Sequence, residues 1–221
     1  MDKLIKVELG CGRTKSEGYI GIDRFPLPGV DIVADLNDRI PMDDNSVDVL
    51  FACHSLEHFE DIKHIMEEIY RICKPNAIIH ILAPYYNTTT NLANYYHMQV
   101  FNEETFRFFD SAKENNFIDM EDWESPHSYD WGLSASDNSE NEVMLAQIGV
   151  EYFYYKEYRN LTEEQKRHLR RSISNVCDQL FYTLIVVKDH RPSYEQLQEL
   201  KKKAKQLEPP VISHLRARDQ Q

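Results

Sequence analysis

The chain has 221 residues, 42% of them hydrophobic, and a formal charge of −12 at pH 7. That is enough apolar material for one domain with a real core. The acidic balance argues against a broad nucleic-acid surface, which needs clustered Lys and Arg. No run approaches the roughly 20 apolar residues of a membrane span, and "MDKLIKVEL" enters a strand without the apolar region of a signal peptide. Cys11, Cys53, Cys73 and Cys177 show no paired spacing. Buried thiols in a reducing cytoplasm are therefore expected, with no membrane and no nucleic-acid partner.

In chain order, "LIKVEL" (4–9), "YIGI" (19–22), "DIVA" (31–34), "VDVLFAC" (47–53) and "AIIHIL" (77–82) predict short strands. Several are apolar on both faces, as strands of a covered parallel sheet are. Between the last two, "HFEDIKHIMEEIYRIC" sets Ile62, Ile65, Met66, Ile69 and Cys73 at helical spacing, with Arg71 and Lys74 late and Pro75 as the stop. Strand, helix, strand in this order means a right-handed parallel crossover. "NEETFRFFDSAKEN" (102–115) predicts a helix capped by Asn102. "ESPHSYDWGLSASDNSENE" (124–142) has few apolar residues and many turn formers, and reads as a loop or lid.

"MLAQIGVEYFYYKEY" (144–158) follows as a long strand, then "TEEQKRHLRRSISNVCDQL" (162–180) as a segment opened by a Thr162-x-x-Gln165 capping box. The strand "LFYTLIVVK" (180–188) comes next. A second box, Ser193-x-x-Gln196, opens a C-terminal amphipathic helix with Leu197, Leu200, Ala204 and Leu207 on one stripe and lysines on a solvated face.

The chemistry starts at "VELGCGRTKSEGYIGID" (7–23). In an open parallel sheet, ligands sit beyond the carboxyl ends of the strands where strand order reverses. Gly10 and Gly12 clear side chains from the end of the first strand. Asp23 ends the second on the same edge, where its carboxylate can accept both hydroxyls of a ribose diol. A dinucleotide is a poor match. The third glycine of G-x-G-x-x-G is missing, and Asp23 comes only eleven residues after Gly12, leaving little room for the full helix that would face a pyrophosphate.

Five pieces in order, "VELGCG", "GYIGID", "DIVADLNDRIPMDDNSVDVLFACHSLEH", the Glu68-to-Arg71 step and "CKPNAIIHILAP", resemble the class I S-adenosylmethionine-dependent methyltransferases, in particular the small-molecule group that carries Leu-Glu-His. The resemblance covers residues 4–84. It implies an α/β, Rossmann-like, seven-stranded and mostly parallel sheet with helices on both faces and the last strand antiparallel. It also implies a methyltransferase domain over 1–190, with 85–145 as an inserted substrate or lid segment and 191–221 as C-terminal helix and tail. By position, Glu8, Gly10, Cys11 and Gly12 would surround the methionine and ribose of S-adenosylmethionine. Asp23, with Arg24 beside it, would hold the ribose, and Asp35 and Leu36 the adenine. Cys53, His54 and Ser55 would lie near the methyl group. The sequence departs from the pattern in a truncated first helix and in Asn76, which stands where glycine is usual.

The expected reaction moves a methyl group to a hydroxyl or an amine of a small metabolite, such as a sugar or natural-product intermediate. His97 is the first candidate for a general base and His54 the second, with His127 in the lid segment. Tyr85, Tyr86, Tyr95, Tyr96, Phe101 and Trp131 are candidates for an acceptor wall. No metal is expected, and a homodimer is compatible with this reading. Two rival readings are a zinc hydrolase using H-x-x-E-H (His54, Glu57, His58) and a non-catalytic protein that binds the same cofactor.

Overall fold

The computed structural model describes residues 3–109 and 143–220. Seven strands form one sheet: β1 (Lys6–Leu9), β2 (Ile20–Asp23), β3 (Ile32–Val33), β4 (Val47–Cys53), β5 (Cys73–Pro84), β6 (Leu145–Tyr154) and β7 (Cys177–Val186). Their spatial order is β3-β2-β1-β4-β5-β7-β6, with β7 antiparallel to both of its neighbours. The chain builds outward from β1 to β3 and then returns to place β4 on the other side of β1. Strand order therefore reverses between β1 and β4, and the carboxyl ends of these two strands flank the crevice where ligands bind in such sheets.

Alternation of side chains along β4 and β5 divides the core in two. Leu50, Ala52, Ile79 and Ile81 face helix α1 (Ile62–Ile72), which buries Ile65, Met66, Ile69 and Ile72. Asp61 caps α1, accepting the N–H groups of Lys63 and His64. On the opposite face Val49, Phe51, Leu82, Phe153 and Phe181 close around Ile212. Short helix α2 (Thr89–Ala93) and helix α3 (Glu163–Ser172) flank the sheet, the latter opened by the expected Thr162–Gln165 capping box.

Three expectations change. The segment 162–180 is helical only to Ser172. Asn175 turns the chain at φ 60, and Cys177–Leu180 already belong to β7, paired with β5 and β6. The predicted C-terminal tail is a second helix: α4 (Tyr194–Gln206) is followed by α5 (Pro210–Asp219), with Pro210 in the first turn, where its missing N–H costs nothing. Both helices pack on the sheet face that the short β1–β2 connection leaves bare. Leu197 and Ala204 pack on β6 and β7, Ile212 packs on β4, and the Tyr19 hydroxyl donates to Leu207 O at 3.4 Å. The 102–115 helix is seen as a 3₁₀ turn over Thr105–Phe109, with Asn102 Oδ1 accepting the Glu104 N–H. Residues beyond 109, the 124–142 segment, His127 and Trp131 lie outside the described residues. No helix among the described residues is long and apolar enough to cross a membrane.

Candidate cofactor cleft at the carboxyl edge

Gly10 leaves β1 at φ 62, and its N–H donates to Ile22 O at 2.8 Å. A Cβ there would stand 2.2 Å from Ser55 Oγ and 2.8 Å from Ser55 Cβ, so only glycine lets the β1 exit pass the β4 exit at this distance. Asp23 closes β2, with Oδ2 accepting the Gly12 N–H and Oδ1 accepting the Phe25 N–H, each at 2.9 Å. Those bonds fix the carboxylate and leave each oxygen capacity for one more donor. Asp35 sits on the surface with Oδ1 accepting from both the backbone and side chain of Asn37 at 3.0 Å, which holds its carboxyl below the usual range.

Together Gly10, Asp23, Arg24, Phe25, Asp35, Leu36, Asn37, His54, Ser55, His58, Phe59 and Tyr96 line a cavity of about 550 Å³. The structure thus brings seven of the cofactor-site candidates to one wall: Gly10, Asp23, Arg24, Asp35, Leu36, His54 and Ser55. Glu8 and Gly12 support that wall from behind. Glu8 is buried and accepts the Ser16 N–H at 2.7 Å; burial raises its pKa against the pull of that bond.

The side chains of Cys11 and Cys53 do not line the cavity. Cys11 Sγ packs against Gly21, and Cys53 packs beside the cluster that holds Val49 and Phe51. Burial, with nearby carboxylates adding to it, pushes the two thiols up to about 11 and about 12, so both are unreactive near neutral pH. Phe25 and Asn37 were overlooked although they follow singled-out residues directly in the chain. His58, Phe59 and Tyr96 come from two segments that only folding brings together. Of the proposed acceptor wall, Tyr85 and Phe101 are core residues, Tyr95 is exposed, and among the described residues Tyr96 alone lines the cavity.

The Glu68-to-Arg71 step holds the loop that carries Leu36 and Ile40 toward the core. Arg71 donates to both oxygens of Glu68 at 2.7–2.8 Å, to Asp44 Oδ1 at 2.6 Å, and to the carbonyls of Ile40 and Met42 at 2.8 and 2.9 Å. Glu68 in turn accepts the Ile40 N–H at 2.7 Å. This motif is a clamp on the cleft's outer wall. Asn76, in place of glycine, takes φ 61 as expected of a residue that tolerates the left-handed turn.

The histidines divide into two groups. His54 ends β4 at φ 47, and Leu56–His58 form a 3₁₀ turn, so His54 and His58 do not share a helical face and the H-x-x-E-H zinc geometry is not built. His54 Nε2 lies 2.7 Å from Gln179 Oε1 and Nδ1 lies 3.4 Å from Glu57 Oε1. Burial lowers its pKa, but the Glu57 carboxylate and the Gln179 carbonyl outweigh that and leave it raised. His97 is not on the cavity wall. Its ring meets that of His58 edge to face at 4.8 Å, with Nδ1 lying 2.6 Å from Asn91 Oδ1. Glu57, His58 and His97 each bring one potential ligand atom within 4.8 Å of the others.

Residues 8–81 match the family model described as a methyltransferase domain. Over about a third of its length the chain is thus similar to a methyltransferase domain. The matched stretch runs from Glu8 into β5, as far as Ile81, and includes every cleft residue except Tyr96. Over 73 residues the chain is 29% identical to the demethylmenaquinone methyltransferase of Chlorobaculum tepidum; that stretch is 33% of this chain and 30% of that protein's length. A solved S-adenosylmethionine-dependent methyltransferase from Archaeoglobus fulgidus aligns at 14% identity over 83% of this chain and 86% of its own, with a TM-score of 0.48. One from Mesorhizobium loti aligns at 14% identity over 82% and 90%, with a TM-score of 0.43. The residues present suit S-adenosylmethionine. Gly10 leaves a cradle that a Cβ would fill, and Asp23 offers an anchored carboxylate to a diol.

Proposed function

We propose that the protein is an S-adenosylmethionine-dependent methyltransferase that acts on a hydroxyl of a small metabolite, with an amine as the second choice. The carrying observation is Asp23, whose carboxylate is held by the N–H groups of Gly12 and Phe25 on the wall of a 550 Å³ cavity floored by Gly10. Such a carboxylate takes a ribose diol, and half-exposed Phe25 beside it offers a ring face to the adenine. When bound, S-adenosylmethionine supplies a methyl group on a positive sulfur; the protein's part is to align the acceptor and exclude water. The formal charge of −12 supports a small acceptor over a polyanion.

An acceptor hydroxyl must also lose a proton. His54 is poorly suited to take it, since both ring nitrogens face acceptors and its pKa is raised. His97, packed edge to face against the cleft residue His58, is better suited. His97 is held with Nδ1 toward Asn91, and its pKa is lowered, chiefly by burial, so the ring is neutral near pH 7. On this reading His97→Ala lowers turnover about 10²–10⁴-fold with little change in cofactor affinity.

Calorimetry with S-adenosylmethionine and S-adenosylhomocysteine is the test. Asp23→Ala is expected to weaken binding at least about tenfold, through loss of charge-assisted hydrogen bonds of roughly 1.5–3 kcal/mol. Absence of binding by the unsubstituted chain, or unchanged binding by the variant, rejects the assignment. Robust methylation of RNA in a radiolabel assay would overturn the small acceptor.

A further inference from the structure

We propose that Glu57, His58 and His97 form a binding site for a first-row divalent metal ion, set in the wall of the cleft to receive an oxygen of the methyl acceptor. Three independent features converge on it. One potential ligand atom from each residue lies within 4.8 Å of the others. Glu57 is 1% exposed, and its Oε2 is buried with no hydrogen-bond partner among the described residues. A carboxylate oxygen withdrawn from water with no donor is costly, and a cation is the partner that removes the cost. The two histidines are also oriented as ligands. His58 Nδ1 faces Tyr96 O at 3.2 Å and His97 Nδ1 faces Asn91 Oδ1 at 2.6 Å. With Nδ1–H donated to a carbonyl oxygen, each ring carries its lone pair on Nε2, the arrangement that outer partners impose on metal-ligating histidines.

Two imidazoles and one carboxylate suit zinc, iron(II), cobalt or manganese better than magnesium or calcium. Metal bonds of about 2.0–2.2 Å place tetrahedral ligand atoms roughly 3.4 Å apart, so binding draws the three side chains together by rotation about their own bonds. His58 lines the cleft while Glu57 is buried behind it, which leaves the remaining coordination positions for a ligand entering from the cleft. This set is distinct from H-x-x-E-H, since His54 takes no part and Glu57 is a ligand rather than a base.

The inference rests on the methyltransferase reading for its chemistry. With the ion bound, His97 is a ligand in place of a base: the acceptor's hydroxyl oxygen binds the ion, which lowers its pKa, and the proton leaves to water. The oxygen then forms a bond to the methyl carbon. The carbon–sulfur bond breaks, and its electron pair returns to sulfur, which becomes neutral. No oxidant or reductant is needed.

The test is cobalt(II) titration of the chelator-stripped chain, followed by visible absorption and calorimetry, with S-adenosylhomocysteine binding measured on the same samples. The expected result is one equivalent bound, with d–d bands of low coordination number and competition by zinc. His58→Ala, His97→Ala and Glu57→Gln each weaken binding about a hundredfold or more, and Asn91→Leu weakens it about 10–100-fold by freeing the His97 ring. His168→Ala, on exposed α3, leaves it unchanged. Weak binding that survives His58→Ala and His97→Ala overturns the site, as does no binding by a chain that still binds S-adenosylhomocysteine. Cobalt binding with the expected variant pattern, but without S-adenosylhomocysteine binding, retains the metal site and rejects the methyltransferase reading.

Discussion

Replacing Gly10 by alanine separates two costs that the cleft imposes on one residue. The backbone cost follows from φ 62, where a Cβ meets the following carbonyl and costs about 1–2 kcal/mol. The packing cost follows from Ser55. The new Cβ would lie 2.2 Å from Ser55 Oγ, which can rotate away, but also 2.8 Å from Ser55 Cβ, which cannot. Two carbons at that distance are about 1 Å too close, and overpacking of this kind costs typically 1–3 kcal/mol as the β1 and β4 exits are pushed apart. The total is about 2–5 kcal/mol, a fall in Tm of roughly 4–20 °C for a chain of this size. Because Gly10 and Ser55 both line the cavity, affinity for S-adenosylhomocysteine should fall with it.

Gly12→Ala is the internal comparison. It shares the positive φ, at 54, but has nothing within 4 Å of its added Cβ, so only the backbone cost applies. Urea unfolding of Gly10→Ala, Ser55→Gly and the double variant then isolates the packing part. Removing the Ser55 side chain should restore about 1–3 kcal/mol to Gly10→Ala and leave the φ cost. Additivity of the two substitutions within about 0.5 kcal/mol, or a Gly10→Ala chain no less stable than Gly12→Ala, refutes the contact.

Two stability predictions concern residues away from the cleft wall. His80 is fully buried, stacks on Phe181 at 5.2 Å, and is pushed down to about 4 by burial, with the Arg216 charge adding to it. Its folded pKa lies below the unfolded value of about 6.5, so the unfolded chain takes the proton first. Stability present above pH 6.5 is lost as pH falls toward 4, by about 3 kcal/mol in all. His80→Phe should flatten that part of the urea midpoint's pH profile, and an unchanged slope would show that other groups produce it. Arg71→Met removes one partner of the mostly buried Glu68 pair and three further bonds to the 40–44 loop; a loss of about 3–5 kcal/mol is expected in chemical denaturation, and less than 1 kcal/mol would remove the clamp role.

Much of the domain was legible because its signals are local. Glycines at a strand end, an aspartate ending the next strand, a capped amphipathic helix and doubly apolar strands each report the backbone or burial of their own segment. The order of those segments restricts the sheet to few topologies. Asp23 and Gly10 could thus be placed on one edge from the sequence alone, and the family resemblance named the cofactor for that edge. The end of α3 was less legible, because "SISNVCDQL" has no strong helix breaker. It becomes strand where β5 and β6 offer edges on both sides, and tertiary pairing outweighs local propensity there.

The remaining features depend on groups distant in the chain. The sequence shows a missing helix after β1, but not that Ile212 of α5 would close over Phe51 in its place, since any amphipathic stripe is free to choose a face until the sheet exists. It shows His58 and His97 as lone histidines 39 positions apart. Only the fold brings their rings edge to face at 4.8 Å and buries the Glu57 carboxylate beside them, because the Met98 and Gln99 N–H groups donate back to the Glu57 carbonyl and carry His97 with them. Periodicity records which side of a segment is apolar; it contains no term for which polar side chains two separate segments will present to the same point.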